Sequence, residues 1–173
     1  MPNRTQMAFA RQVYAAAVEA NTEIDPAFVT AQAMLETGWG SKIIGQANLF
    51  GITKGSQWDG PIVMVKTHEY LKTPNQKFKA PDRILSVCKV KGKNLWYYTV
   101  ERAFKDFSSI GECLKEHERL FQKSGYKDAW PFRKDAYQFA RKICDGVGCK
   151  YATDPAYLTT ITSIIKTVKS KCR

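Results

Sequence analysis

The spacing of the apolar residues changes twice along this chain of 173 residues. Both ends carry the three-and-four spacing of amphipathic helices, whereas Pro61 to Leu71 alternates with the period of two that is typical of a strand. Two further strand-like runs, Arg83–Val90 and Leu95–Arg102, flank a glycine-containing turn at Lys91–Asn94, which predicts a β-hairpin. The chain is therefore predicted to be α+β and mostly helical, with a small β-lobe at about residues 60–104.

The helices are predicted from their capping residues as well as from their spacing. Asp25 is a good N-cap, Pro26 suits the first helical turn, and Gly38 suits a C-terminal stop. Asp154–Pro155 repeats the first part of this signature and predicts where the last helix begins. A chain of this length suits a single domain, residues 1–173. Apart from the helix capped by Asp25, the predicted helical segments are Thr5–Asn21, Ser108–Lys123, Pro131–Cys144 and the one that begins at Asp154–Pro155.

The charge of the chain points to an anionic partner. It has 27 Lys and Arg against 16 Asp and Glu, a net charge of +11, which attracts nucleic acid, anionic lipid or an acidic cell envelope. The basic residues are scattered, and no helix-turn-helix, zinc-finger or RNA-binding-sheet signature is present. We therefore expect no nucleic-acid partner. No apolar run approaches the roughly 18 residues of a membrane span, and the N-terminus lacks the apolar core of a signal peptide.

The five cysteines are expected to be reduced thiols, because the count is odd and no signal peptide is evident. A Cys144–Cys149 disulfide is the alternative if the protein reaches an oxidising compartment. No Cys-x-x-Cys pair exists, and His68 and His117 are the only histidines. We therefore predict neither a metal site nor a cofactor.

Glu36 lies in the last turn of the largely apolar helix that Asp25 caps. A carboxylate there opposes the helix dipole, and burial would add a desolvation cost. One interpretation is an acid held in an apolar shell and suited to donating a proton. The other is a side chain that turns to solvent or pairs with Lys42.

Glycines and aromatic residues are concentrated between Trp39 and Gly60. Glycine lets a backbone approach a ligand closely, and aromatic rings offer flat faces to sugars or bases. A binding groove and an ordinary loop whose rings fold into the core are both consistent with this pattern. If a groove separates the helical body from the β-lobe, Glu36 lies on one wall and Glu69 on the other. Two facing carboxyl groups, one protonated and one ionised, are what glycoside hydrolysis requires.

At these residues the chain resembles glycoside hydrolase family 73, which comprises N-acetylglucosaminidases of bacterial cell walls and the flagellar peptidoglycan hydrolase. The resemblance covers nearly the whole chain. Its segments are Ala31–Ser41, Asn48–Ile52, Trp58, Gly60, Thr67–Glu69, Ala103–Phe107, Ser108–Ile110, Tyr151–Pro155 and Tyr157. Lys105 and the long segment 72–101 depart from the family pattern.

The resemblance implies a lysozyme-like fold and cleavage of the β-1,4 bond between N-acetylglucosamine and N-acetylmuramic acid in peptidoglycan. It assigns Glu36 as the general acid, Glu69 as the second carboxylate and Tyr151 as an active-site tyrosine. The expected substrate-binding residues are Trp39, Asn48, Phe50, Trp58 and Asp154.

The same resemblance, with the small size and the charge, predicts a monomeric phage endolysin that leaves the host cytoplasm through a holin pore to reach the wall. The last helix carries Ile161, Ile164, Ile165 and Val168 beside basic residues. It is interpreted as core-packed, with contact to anionic membrane or lipopolysaccharide as the alternative. A muramidase or lytic transglycosylase of the same fold is the nearest rival function. A non-catalytic module that binds wall or nucleic acid is the rival outside enzymes.

Overall fold

The computed structural model describes residues 2–145, 151–152 and 155–172. The chain divides into two compact units. The helical unit comprises Met1–Phe50 and Phe107–Arg173, and the sheet unit comprises Gly51–Asp106. The predicted β-lobe of residues 60–104 lies inside the sheet unit, which also includes the loop before its first strand.

The described residues of the helical unit include five α-helices, and local capping explains most of their starts. Asn3 and Gln6 form a reciprocal capping box at the first helix. The Asp25 side chain accepts a hydrogen bond from the Ala27 amide at 2.7 Å, as the sequence predicts, and Ser109 caps the third helix. The helices are α1 (Arg4–Glu19), α2 (Pro26–Glu36), α3 (Ile110–Phe121), α4 (Ala136–Asp145) and α5 (Tyr157–Lys171).

The two C-terminal helices begin later than predicted. Pro131 lies in a 3-10 turn, Trp130–Phe132, and α4 starts after Asp135, whose carboxylate accepts hydrogen bonds from the Tyr137 and Gln138 amides. Helix α5 starts at Tyr157 with Ala156 as its cap residue, so the predicted start at Asp154–Pro155 is wrong. A proline near a predicted helix start locates that start only to within a few residues. The first helical residue is set by the local backbone hydrogen bonds.

The core of the helical unit is aromatic around α2. Phe28 packs edge-to-face against Phe139 of α4 and Phe121 of α3, with ring centroids 4.9 and 6.2 Å apart. The apolar residues of α5 are buried in the same unit: Ile161, Ile164, Ile165 and Val168. The interpretation of the apolar face of α5 as core-packed is therefore confirmed. Of the helices described, none is both long and apolar enough to cross a bilayer.

Three antiparallel strands form the sheet unit, in the order β1 (Ile62–Leu71), β3 (Trp96–Lys105), β2 (Arg83–Lys89). The predicted first strand and hairpin are confirmed. Tyr98 and Val100 of the central strand are buried, and Glu69 pairs with Tyr98 in the register. The long segment 72–101 supplies β2 and part of β3.

The chain is hydrogen-bonded to itself where it enters and leaves the sheet unit. The Lys54 amide donates to the Ala103 carbonyl at 2.9 Å, and the Lys105 amide donates to the Ile52 carbonyl at 3.0 Å. The Asp106 amide donates to the Pro61 carbonyl at 3.0 Å. The two ends of the unit are therefore held together by backbone hydrogen bonds.

Candidate active site

Glu36 is the last residue of α2, and its carboxylate has a tyrosine partner. The Tyr151 hydroxyl donates to Glu36 Oε1 at 3.2 Å, although 115 residues separate the two in sequence. Glu36 itself is exposed, so the predicted apolar shell around it is wrong. The buried residues of α2 run from Ala27 to Met34, and the final turn extends beyond them.

Tyr151 is held more firmly than an exposed loop residue. Its ring stacks on Phe121 with centroids 5.6 Å apart and lies 5.5 Å from the Tyr157 ring. Its amide donates to the Ile143 carbonyl at 3.2 Å. Burial, and then the charge of Glu36, raise the pKa of Tyr151, so its hydroxyl stays protonated and acts as the donor to Glu36.

Tyr157 supports this arrangement from α5. The buried Gln32 side chain donates to the Tyr157 hydroxyl through Nε2 at 3.2 Å, and burial raises the pKa of Tyr157. The sequence placed Tyr157 in a family segment without a role and did not single out Gln32. A glutamine among the apolar positions of α2 was the available signal.

Three predicted substrate-binding residues lie in the loop after α2, and they differ in how far they are buried. Trp39 is half-buried and adopts a positive φ of 60°. Asn48 is only 1% exposed, and its backbone pairs with Ile44 in both directions. Its side chain therefore lies within the unit and shapes this loop from inside. Phe50 is half-buried and stacks on His117, with centroids 3.7 Å apart.

His117 of α3 lies between Phe50 and Phe121, the residue on which the Tyr151 ring stacks. It is buried, and neither ring nitrogen has a hydrogen-bond partner among the described residues. Desolvation lowers its pKa from 6.5 to about 3. Its ring also packs edge-on against Phe121, 5.0 Å away, and Phe121 stacks on Tyr151. A continuous row of rings thus runs from Phe50 through the neutral imidazole to Tyr151. The sequence placed His117 only on the apolar face of its helix.

Glu69 lies on β1 of the sheet unit and is paired with an arginine. Arg102 Nη1 donates to Glu69 Oε1 at 2.6 Å, and Arg102 Nε lies 3.4 Å from Asp82 Oδ2. The other oxygen of Asp82 accepts a hydrogen bond from the Ala103 amide at 2.8 Å. Neither Arg102 nor Asp82 was predicted from the sequence. The available indication was that Arg102 is the only arginine on the strand face that also carries the buried Tyr98 and Val100.

Trp58 is fixed within the sheet unit. Its Nε1 donates to the Pro61 carbonyl at 2.9 Å, and Lys105 Nζ lies 4.6 Å from the ring centroid. A Cβ on Gly60 would lie 2.6 Å from the same ring, so only glycine leaves room for it. Lys105, which departs from the family pattern, therefore has a cation–π contact with a predicted substrate-binding residue.

The remaining predicted residues concern cysteines, metals and Asp154. Asp154 and the Cys144–Cys149 pair, through Cys149, lie outside the described residues. Cys113 is buried, which raises the pKa of its thiol to about 12 and keeps it protonated. Within the part of the chain that the structure describes, no group of three or more His, Cys, Asp or Glu side chains is placed to hold a metal ion.

The sequence matches a family model over most of its length. The model is Glucosaminidase, described as mannosyl-glycoprotein endo-beta-N-acetylglucosaminidase, and the match covers residues 12–170. The chain belongs to the Glucosaminidase family. The resemblance to glycoside hydrolase family 73 is thereby confirmed.

Relatives of this Glucosaminidase-family chain include larger proteins. It is 29% identical over 148 residues to the peptidoglycan hydrolase FlgJ of Escherichia coli, a match that covers 82% of this chain and 39% of that protein. It is 32% identical over 143 residues to a probable N-acetylmuramidase of Lactococcus lactis, covering 81% of this chain and 28% of that protein. The chain thus spans less than half the length of these relatives.

Solved structures share the fold of this Glucosaminidase-family chain. The C-terminally truncated glycoside hydrolase domain of Salmonella typhimurium FlgJ has a TM-score of 0.69 and 24% identity, with 95% of this chain and 98% of that one covered. A peptidoglycan hydrolase from a Sphingomonas species has a TM-score of 0.62 and 26% identity, with coverages of 95% and 92%. These similarities confirm the predicted α+β, lysozyme-like fold.

Proposed function

We propose that this chain is a peptidoglycan hydrolase, an endo-β-N-acetylglucosaminidase that cleaves the β-1,4 bond between N-acetylglucosamine and N-acetylmuramic acid. Membership of the Glucosaminidase family and similarity to a peptidoglycan hydrolase support the substrate class. The observation that carries the proposal is the hydrogen bond from Tyr151 to the carboxylate of Glu36.

That hydrogen bond suits a general acid. Because the Tyr151 hydroxyl stays protonated and donates to Oε1, the transferable proton of Glu36 resides on Oε2. When Oε2 gives this proton to the glycosidic oxygen, a carboxylate forms. The Tyr151 hydrogen bond stabilises that carboxylate and therefore strengthens as the transition state is reached.

Glu69 is the proposed second carboxylate. Arg102 Nη1 donates a hydrogen bond to its Oε1 at 2.6 Å. An ionised carboxylate activates water, stabilises a cation-like sugar or orients the acetamido group of the substrate, and these roles lead to different stereochemical outcomes. Each role needs the same charge at the same position.

A muramidase is the second candidate, favoured by the similarity to a probable N-acetylmuramidase. A lytic transglycosylase would share the acid at Glu36 without needing a second carboxylate. The three activities release different reducing ends from the same glycan strand, so product chemistry separates them.

The deciding experiment is digestion of purified peptidoglycan, followed by borohydride reduction and mass spectrometry of the fragments. Reduced N-acetylglucosamine ends support the proposal. Reduced muramic ends identify a muramidase, and 1,6-anhydro-muramic ends identify a transglycosylase. If the protein sediments with the wall but releases no fragment, it is the non-catalytic wall-binding module. The same assay on Glu36→Gln shows whether the released fragments come from this chain.

The charge of the sheet unit supports adsorption to an anionic wall. This unit contains eleven Lys and Arg against five Asp and Glu within Gly51–Asp106. We propose that this surface charge, rather than the buried apolar face of α5, brings the enzyme to the bacterial envelope for lysis of the cell.

A further inference from the structure

We propose that Arg102 is a positioning residue for the second carboxylate: its hydrogen bond fixes Glu69 Oε1, so that Oε2 is presented to the reaction. The proposal rests on the assignment of Glu69 as the second carboxylate of the proposed function. It adds two residues, Arg102 and Asp82, to which neither the sequence pattern nor the comparisons give a role.

The geometry gives Arg102 two different anchors. Its Nη1 donates to Glu69 Oε1 at 2.6 Å, and its Nε lies 3.4 Å from Asp82 Oδ2. Asp82 is in turn tied to the backbone, because its Oδ1 accepts the Ala103 amide at 2.8 Å. Within the described residues, Nη1 makes a hydrogen bond, whereas Nε is ion-paired with Asp82 without a hydrogen bond. Carboxylates on two sides of a planar guanidinium restrict its orientation more than a single contact would.

A second arginine–glutamate pair on the same sheet shows what is particular to this one. Arg83 of β2 pairs with Glu101 of β3, but the Arg83 side chain is 69% exposed. The Arg102 and Glu69 side chains are 31% and 27% exposed, and Asp82 is 18% exposed. Solvent screens the Arg83 pair strongly and the Arg102 pair less, so the Arg102 pair is the one expected to hold its carboxylate in place.

Among the described residues, no other side chain makes the hydrogen bond that Arg102 makes to Glu69. Tyr98 lies opposite on β3, and its hydroxyl donates to the Thr73 carbonyl at 2.7 Å. Lys54 and Lys79 line a cavity of about 460 Å³ together with Asp82 and Arg102. Among the described residues, Arg102 is the cation within hydrogen-bonding distance of Glu69, and Oε2 has no protein partner.

Charge and orientation can be separated with two substitutions. Arg102→Gln removes the cation, whereas Arg102→Lys keeps a positive charge but lacks the guanidinium fork. The matched control is Arg83→Gln, which removes an arginine–glutamate pair of the same sheet. The readouts are kcat and KM on soluble peptidoglycan fragments, with thermal unfolding of each variant.

We expect Arg102→Gln to lower kcat about 10-fold or more, with a smaller change in KM, because a charge-assisted hydrogen bond to the reacting group is lost. Arg102→Lys should also lower kcat, by less than Arg102→Gln does, because lysine keeps a charged donor but lacks the guanidinium fork. Arg83→Gln should leave kcat and KM at their wild-type values.

A folded Arg102→Gln protein with wild-type kcat would overturn the inference, and so would equal values of kcat for Arg102→Gln and Arg102→Lys. If Arg102→Gln does not fold, Arg102→Lys decides: lowered kcat supports the inference and wild-type kcat overturns it. Glu69→Gln separates this result from the proposed function. Wild-type turnover in Glu69→Gln removes Glu69 from the mechanism, and Arg102 then has no reacting group to position. Loss of turnover in Glu69→Gln together with an unchanged kcat in Arg102→Gln overturns only the role of Arg102.

Discussion

Tyr151 donates its hydroxyl hydrogen to Glu36 Oε1 at 3.2 Å, so a residue close to the last helix contacts the final residue of α2. Tyr151→Phe keeps the ring against Phe121 and deletes only this hydrogen bond. We expect turnover to fall about 10-fold or more, the typical size of one hydrogen bond that strengthens in the transition state. The thermal midpoint should change little.

The matched control for that substitution is Tyr137→Phe. Tyr137 is an exposed tyrosine of α4 whose ring is 4.9 Å from Lys169 Nζ. This variant should keep wild-type turnover. If Tyr151→Phe instead lowers the thermal midpoint and leaves turnover intact, the hydroxyl is structural and has no part in the reaction.

Glu36→Gln should abolish release of fragments from cell walls while leaving the fold intact. Glutamine keeps the size of the side chain but cannot donate the proton, which implies a loss of about 10²–10⁴-fold or more. Glu19→Gln is the control, because Glu19 is likewise an exposed glutamate that ends a helix of the same unit. Activity of Glu36→Gln within a few-fold of the wild type would refute the assignment of the acid.

Glu69→Gln should also reduce turnover strongly, although less completely if the acetamido group of the substrate is the nucleophile. Azide added to this variant tests whether an external anion replaces the carboxylate, with an azido-sugar as the product. Glu101→Gln is the matched control, because Glu101 also lies in this sheet and pairs with an arginine. Equal activities of the two variants would exclude Glu69 from the mechanism.

His117 makes the stability of the fold depend on pH. Its pKa is about 3 in the folded protein and about 6.5 when it is exposed, so the unfolded chain takes up a proton that the folded chain excludes. The contribution is complete above about pH 6.5 and is lost as the pH falls toward 3. The free energy of unfolding should therefore decrease by up to about 1.4 kcal/mol per pH unit in this range.

His117→Phe isolates this effect, because phenylalanine can stack on Phe50 but cannot take up a proton. Urea unfolding at several pH values should give a wild-type-minus-variant difference that shrinks as the pH falls from 6.5 to 3. The control is His68→Asn, since His68 is exposed and should leave that pH dependence in place. A constant difference for His117→Phe would show that the imidazole is protonated without unfolding.

Gly60→Ala tests the placement of Trp58. A Cβ at residue 60 would meet the indole ring at 2.6 Å and displace it. We expect KM for glycan fragments to rise about 3- to 10-fold, equivalent to about 0.7–1.4 kcal/mol of lost aromatic contact. Gly111→Ala is the control, because its Cβ would lie at an ordinary 3.5 Å from Ala20 Cβ. An unchanged KM in Gly60→Ala would mean that Trp58 does not bind substrate.

Features fixed by neighbours in sequence were predictable. The cap at Asp25 and the hairpin of β2 and β3 depend on residues within a few positions of one another, and both are confirmed. The end of α2 at Glu36 follows from the same kind of signal. Its exposure does not, because burial depends on which other segments pack around the last turn.

Features that depend on distant contacts were not predictable from spacing. The pairing of Glu69 with Arg102 depends on the register of β1 with β3 and on the loop that carries Asp82. The contact of Tyr151 with Glu36 links segments 115 residues apart, and only the family resemblance pointed to Tyr151. The predicted start of α5 at Asp154–Pro155 was wrong because an Asp-Pro pair indicates only that a helix begins nearby. It does not show which residue is the first in the helix, which here is Tyr157.

The backbone hydrogen bonds that join Lys54 to Ala103 and Lys105 to Ile52 have a consequence for how such a protein can vary. Because the entering and leaving segments are held to each other, the chain between them can grow or shrink without changing the separation of the points where it departs and returns. The β2–β3 hairpin of the sheet unit can therefore be lengthened or shortened while the helical unit that carries Glu36 keeps its structure.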